Sequence, residues 1–285
     1  MIIQQLPNAL FPNLETSKPD LLVYPYQVES QIDKIKVHLT KNVFSFLTVG
    51  QKDVHFSGAT VSVTNQQVLL IGAGNCLMTE RLSGAAAYQS TLFFFSQTNV
   101  SDFLVKYSAT AAVSKPLMRT EATPYFLIEK DEFIHYFIQS LALTLKSELS
   151  QKMLNLKFEE IMLYLTERDG ERFLRFLLAL LNNEWEVSFR QVIEANVLSN
   201  LSLEETAFLC NMSLSTFKRH FISIYHETPG KWFQHRRLLK ARELLQQGDV
   251  RVSDIFLDFG YENLSNFSAA FKQEFGISPR QAVAN

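Results

Sequence analysis

Between Leu21 and Phe95, apolar residues come in short runs separated by turn residues. Val43-Phe44-Ser45-Phe46-Leu47-Thr48-Val49, Ala59-Thr60-Val61-Ser62-Val63, Val68-Leu69-Leu70-Ile71 and Tyr88-Gln89-Ser90-Thr91-Leu92-Phe93-Phe94-Phe95 are rich in β-branched and aromatic side chains. Gly50-Gln51-Lys52-Asp53, Thr64-Asn65-Gln66 and Gly72-Ala73-Gly74-Asn75 interrupt them. Roughly six to eight short strands at this spacing predict an antiparallel β sandwich or small barrel. The first 20 or so residues, punctuated by Pro and Asn, read as an irregular arm. At Asp131 the period changes. Ile134, Ile138, Leu141 and Leu145 step by four and three, the a/d seam of a helix, and Leu149 extends it. Two more helices are predicted over 156–167 and 171–181, with Asp169-Gly170 breaking the pattern between them. The seam can face a second copy of the chain or dock on the β region, and the spacing alone leaves both open.

The last third reads twice in one pattern. Ser213-Leu214-Ser215-Thr216-Phe217-Lys218-Arg219-His220-Phe221 runs on to Tyr225 and Thr228-Pro229; Asn263-Leu264-Ser265-Asn266-Phe267-Ser268-Ala269-Ala270-Phe271 runs on to Phe275 and Ser278-Pro279. Aromatics four apart share one helix face, and Pro suits the first position of a following helix. Ser202-Leu203-Glu204-Glu205 has the form of a capping box. Each copy therefore reads as a helix-turn-helix unit, the two joined by one long helix. The resulting expectation is an α+β chain: a β-rich domain at 1–130, a helical linker layer at 131–183, and an all-α domain with two helix-turn-helix units at 184–285.

Composition changes this picture little. Of 285 residues, 47% are hydrophobic, and 24 Phe supply ample core material. Two distant cysteines, Cys76 and Cys210, fit a reduced, cytoplasmic compartment. No apolar run has the length of a membrane helix, and the N-terminus lacks the basic-then-apolar form of a signal peptide. The net charge of −2 argues weakly against nucleic acid, and from Ser199 onward 10 Lys and Arg face 9 Asp and Glu. The basic residues are clustered, however. Lys218, Arg219, Lys231, Arg236, Arg237, Lys240 and Arg242 share one window in which Glu227 is the interior acid. A local basic face of this kind can hold phosphates with salt-sensitive affinity.

The stretch from Ser199 to Gln281 resembles the DNA-binding domain of the AraC/XylS family of bacterial transcription regulators. The resemblance is carried by Ser213, Phe217, Arg219 and Phe221, by Arg237, Ala241, Leu244 and Leu245 on the connecting helix, by Gly260-Tyr261, and by Phe271-Lys272, Phe275-Gly276 and Ser278-Pro279. It implies double-stranded promoter DNA and RNA polymerase as partners, an activator's role, and a cupin-like jelly roll in the N-terminal half. It further implies control through that half, by a small effector in an apolar pocket or by a regulatory protein, and allows a homodimer. Leu156–Ile161 and Asn183-Glu184-Trp185 look like those members, type III secretion activators included, that carry a helical layer here.

In a helix-turn-helix protein the N-terminal half of the recognition helix enters the major groove. Lys218 and Arg219 lie off the Phe217/Phe221 face. Arg219 has the fork for a guanine edge, and Lys218 can reach guanine or phosphate; both would equally serve as solvated charges. Ser215 matches a base-contacting position in relatives. The second unit presents Asn263, Ser265, Asn266 and Ala269, where the family often carries Arg at the last position. Asn266 can bond adenine or cap the helix, while Lys272 and Arg280 suit phosphate contacts. Arg237 can brace the two units or touch DNA. The first unit is thus expected to supply most base discrimination. The competing class is a cupin-type enzyme fused to a DNA-binding domain. It would need converging His and carboxylate ligands, but the β region holds His38 and His55 without a His-x-His pair. No metal, cofactor or catalytic residue is expected, and the chain is not read as an enzyme.

Overall fold

The computed structural model describes residues 3–12, 20–84, 87–107, 123–146, 151–182, 189–199, 201–247 and 250–283. Leu149, Asn183-Glu184-Trp185 and the 183/184 boundary lie outside them. The chain forms two compact units, Met1–Val187 and Ser188–Asn285.

The first unit contains ten strands among its described residues: β1 (Gln4–Leu6), β2 (Leu22–Val28), β3 (Ile32–Leu39), β4 (Asn42–Val49), β5 (Gln51–His55), β6 (Thr60–Thr64), β7 (Gln67–Ile71), β8 (Gly74–Arg81), β9 (Tyr88–Phe95) and β10 (Tyr125–Glu129). They make a sandwich of two five-stranded sheets, ordered β1-β3-β8-β5-β6 and β10-β7-β4-β9-β2. Every pairing is antiparallel except β1 with β3. The N-terminal arm is therefore not wholly irregular, because Gln4–Leu6 adds an edge strand. Gly50 turns β4 into β5 at φ 98°, where a Cβ would stand 2.5 Å from the Arg81 carbonyl oxygen.

Side-chain parity explains the long apolar runs. Val43, Leu47, Leu69, Ile71, Leu92 and Phe94 point between the sheets, whereas Phe44, Phe46, Val68, Leu70, Phe93 and Phe95 point out of the second sheet. Those outward side chains are covered by α1 (Gln97–Tyr107), α2 (Glu132–Lys146) and α3 (Gln151–Asn182). A sheet buried on both faces needs apolar residues at successive positions, hence β4 and β9 read as continuous runs. Gly170, at φ 54° and ψ −127°, breaks α3 at the predicted point. The helical seam docks inward: Ile134 and Leu141 are fully buried, and Ile138 and Leu145 pack half-buried against the same cluster. These four side chains thus pack within the chain's own first unit. Asp131 anchors this layer, accepting the Ile134 amide at 2.9 Å and pairing with Arg168 at 2.9 Å.

One polar cluster sits between the sheets. Lys52 and Glu80 are 3% exposed, with Nζ 3.4 Å from Oε1 and 3.4 Å from the Ser45 hydroxyl. Tyr26 donates its hydroxyl to Glu80 at 2.9 Å. The cavity beside them, lined also by Val37, Leu39, Met78 and Phe94, measures about 20 Å³. Removing one member of a buried ion pair strands the other's charge, whereas an apolar replacement of both is often neutral. Glu80→Leu is therefore expected to destabilise the first unit by about 3–5 kcal/mol, and Lys52→Met with Glu80→Leu to recover most of that loss. Urea unfolding of the three proteins, followed by circular dichroism, checks the order.

Candidate nucleic-acid interface

The second unit opens with α4 (Phe189–Ala195), followed by α5 (Leu203–Leu209), α6 (Leu214–Tyr225), α7 (Pro229–Gln247), α8 (Val252–Ile255), α9 (Leu264–Phe275) and α10 (Pro279–Val283). The capping box is formed: the Ser202 hydroxyl accepts the Glu205 amide at 3.2 Å, and the Glu205 carboxylate accepts the Ser202 amide at 2.7 Å. The first turn closes with the Met212 amide donating to Ala207 O at 2.9 Å, through Asn211 at φ 57°. The second repeats it, with the Tyr261 amide donating to Phe256 O at 3.1 Å and Gly260 at φ 80° in the left-handed position. Asn and Gly are the residues that accept this conformation most readily. Ala207 is 1% exposed, whereas Phe256, at the matching position, is half-buried and follows a lead helix of a single turn.

Ser213 caps α6 by accepting the Thr216 amide at 3.2 Å, and Asn263 caps α9 by accepting the Asn266 amide at 2.8 Å. Phe217, Phe221, Phe267 and Phe271 are fully buried. The first pair packs with Ile193, Ala207 and Phe233; the second packs with Leu238, Ala241, Leu245 and Ile255. The connecting helix α7 therefore supplies both cores, the first from its early turns and the second from its later ones. Arg237 braces α7 against the segment before α5 rather than one helix-turn-helix unit against the other. Its Nε donates to Val197 O at 2.9 Å and a terminal nitrogen to Ser199 O at 2.7 Å, tying α7 to the segment before α5.

With helix phase fixed by the aromatics, Ser215, Lys218 and Arg219 of α6 are exposed, as are Asn263, Ser265, Asn266, Ala269 and Lys272 of the second reader. The side-chain oxygen of Asn263 is already used in the cap, leaving its amide group to reach outward. The basic window is far less open than its sequence suggests. Lys231 pairs with Glu227, Arg236 with Glu194, and Lys240 with Glu243. Arg237 holds carbonyls, and the Arg242 guanidinium lies 5.1 Å from the Phe275 ring centre. Among the described residues of that window, Lys218 and Arg219 are the two cations with no such engagement. Glu194 escaped the sequence reading because α4 was not identified; the Phe189-to-Ile193 spacing of four was its signal. A second link joins α7 to α9, where His235 Nδ1 lies 2.6 Å from Glu274 Oε1.

No group of three or more His, Cys, Asp or Glu among the described residues could hold a metal. Burial pushes the Cys76 and Cys210 thiols up to about 12, which keeps both as unreactive thiols near neutral pH. No helix of the described residues is long and apolar enough to cross a membrane.

Comparison with known proteins agrees with this arrangement. Residues 42–176 match the ExsA N-terminal regulatory domain and residues 207–285 match a helix-turn-helix domain. The chain is 29% identical to the virulence regulon transcriptional activator VirF of Yersinia enterocolitica over 187 residues, 64% of this chain and 68% of that protein. It is 30% identical to the thermoregulatory protein LcrF of Yersinia pestis over 161 residues, 56% of this chain and 59% of that one. The chain belongs to the AraC/XylS family of transcription regulators. Its second unit is the DNA-binding, helix-turn-helix portion of such a regulator. A crystal structure of ToxT from Vibrio cholerae, bound to an unsaturated fatty acid, aligns over 95% of this chain and 97% of that one, with 13% identity and a TM-score of 0.41.

Arg237→Ala is expected to destabilise this AraC-type domain by about 1.5–3 kcal/mol, since it leaves two carbonyls without a charged donor. Arg237→Lys should restore little of that loss, because an ammonium cannot fork to both. Thermal unfolding of the full chain, with tryptophan fluorescence as the probe, checks both.

Proposed function

We propose that the chain is a transcriptional activator that reads promoter DNA chiefly through α6 and is controlled through its first unit. The observation that carries this reading is the free, exposed pair Lys218 and Arg219 on a helix whose neighbouring cations are occupied. Arg219 forks to a guanine edge, Lys218 takes a guanine or a phosphate, and Ser215 reaches a base beside them. At α9, Asn263, Ser265 and Asn266 make weaker base contacts, Ala269 at best touches a thymine methyl, and Lys272 serves the backbone. RNA polymerase is the partner at the promoter, and the named activity of VirF supports the sign of regulation.

For control, two agents were open: a small effector inside the sandwich or a regulatory protein. The interior cavity of about 20 Å³ favours the protein. A space of that size holds about one water, so a metabolite would have to prise the packed sheets apart. A cupin-type enzyme fused to the reader draws no support from the groups between the sheets, where Lys52 and Glu80 neutralise each other.

The test uses an operator selected from a random duplex library with the full chain, and affinities measured at fixed salt. Arg219→Ala is expected to lose about 1–3 kcal/mol of discrimination between this operator and a scrambled duplex while the chain stays folded. Base-pair changes in the half-site facing α6 should cost about 1–3 kcal/mol each, and those facing α9 less. Unchanged discrimination by Arg219→Ala, or equal penalties in both half-sites, would show that α6 is not the principal reader.

A further inference from the structure

The two recognition helices share their buried aromatics but exchange the chemistry beside them. Matched along the repeat, Lys218, Arg219 and Ile222 of α6 stand where α9 carries Ser268, Ala269 and Lys272. At the Arg219/Ala269 position α6 has the cation and α9 the methyl group. At the Ile222/Lys272 position the order is reversed, and α6 presents an apolar side chain where α9 presents a charge.

That apolar side chain has no place in the core. Leu214, Phe217, Phe221 and Tyr225 of α6 pack into the first helix-turn-helix core, and Ile224 is half-buried. Ile222 is 44% exposed. It follows Ser215 by seven residues, Lys218 by four and Arg219 by three, separations that share one helix face. At 3.6 residues per turn, Ile222 lies about 40° round the helix from Lys218 and about 60° from Arg219, between the two. Both of these cations are exposed, and the Ser223 hydroxyl that follows Ile222 is turned back onto the His220 carbonyl at 2.7 Å. The stripe from Ser215 to Ile222 rises about 10 Å along the helix, or about three base-pair steps of DNA.

The base edges sort themselves against such a side chain. In the major groove thymine offers its C5-methyl group, whereas cytosine offers an N4 amino donor. Ile222 has no acceptor for that donor, so covering a cytosine would strand a polar group. Covering a thymine methyl takes apolar surface of both partners out of water. A β-branched residue on a helix is also held largely to one rotamer, so little side-chain freedom is lost on contact.

We infer that Ile222 is a specificity-determining residue: it packs on the C5-methyl group of a thymine in the major groove, beside the guanine read by Arg219. The inference rests on α6 being the principal reader. Ile222 and Arg219 are separated by about 4.5 Å along the helix, so the thymine falls about one base pair from that guanine. The α6 half-site is therefore read by a fork and a methyl contact side by side, and cytosine in place of the thymine is rejected.

A double-mutant cycle between the side chain and the DNA methyl group tests this. On an operator selected with the full chain, each thymine of the half-site facing α6 is replaced in turn by deoxyuridine, which removes the methyl group and keeps the hydrogen-bonding edge. Affinities of the wild type, Ile222→Val and Ile222→Ala are measured at fixed salt. At one thymine, next to the guanine whose contribution is lost in Arg219→Ala, deoxyuridine should weaken the wild type about fourfold, the effect of burying one methyl group. Ile222→Val should keep most of that penalty, and Ile222→Ala should show none, with unchanged circular dichroism and unchanged affinity for a scrambled duplex. A half-site with no preferred thymine there overturns the inference, as do deoxyuridine penalties that are the same in the wild type and Ile222→Ala at every position. Arg219→Ala on the same duplexes separates that failure from failure of the α6 reading. If it still loses discrimination, the thymine contact alone falls; if it loses none, the reading by α6 falls with it.

Discussion

The reading surface depends on one constraint, the burial of two aromatics four residues apart on each recognition helix. Phe217 and Phe221 on α6, and Phe267 and Phe271 on α9, are fully enclosed. Rotating α6 far enough to bury Lys218 would expose both rings, forfeiting about 3–6 kcal/mol of apolar burial, and would also desolvate an ammonium. The aromatics therefore decide which side chains of each helix stay exposed. Because α7 contributes Phe233 to one core and Leu238, Ala241 and Leu245 to the other, both readers are set on a single helix. Arg237 extends that control to the segment that leads into α5.

The same logic, burial choosing what stays outside, organises the first unit. Its second sheet is apolar on both faces, so it must be covered twice: by the other sheet on one side and by α1, α2 and α3 on the other. That requirement uses up the helical seam. It leaves the outer face of the first sheet in contact with solvent. The buried Lys52–Glu80 pair fixes which strands meet in the interior at an electrostatic cost, and its 3.4 Å separation is long for a charge-assisted hydrogen bond.

Much of this was legible in the chain. Tyr88–Phe95 stands as predicted, because eight successive β-formers between turns admit little else. The doubled Phe-x-x-x-Phe pattern located both recognition helices and, by elimination, their exposed residues. Other features carried too little local signal. β1, α4 and α1 are 3, 7 and 11 residues long, too short for hydrophobic period to decide. The target of the Ile134–Leu145 seam was not legible, since one apolar stripe serves a partner helix or a sheet equally well. Gly50-Gln51-Lys52-Asp53 reads as a turn, whereas Gln51–His55 is a strand in which Lys52 shares its parity with buried Val54. The neutralisation of Arg236 by Glu194 spans 42 residues of chain and could only come from the fold.

Lys218 and Arg219 are the cations proposed to read guanine. Methylation interference at guanine N7 tests that role most directly, because the added methyl group blocks the major-groove acceptor an arginine fork needs. With the full chain on its selected operator, interfering guanines should concentrate in the half-site facing α6. Arg219→Ala should abolish that interference while leaving residual binding insensitive to it. Interference distributed evenly over both half-sites, or unaltered by Arg219→Ala, would contradict the account.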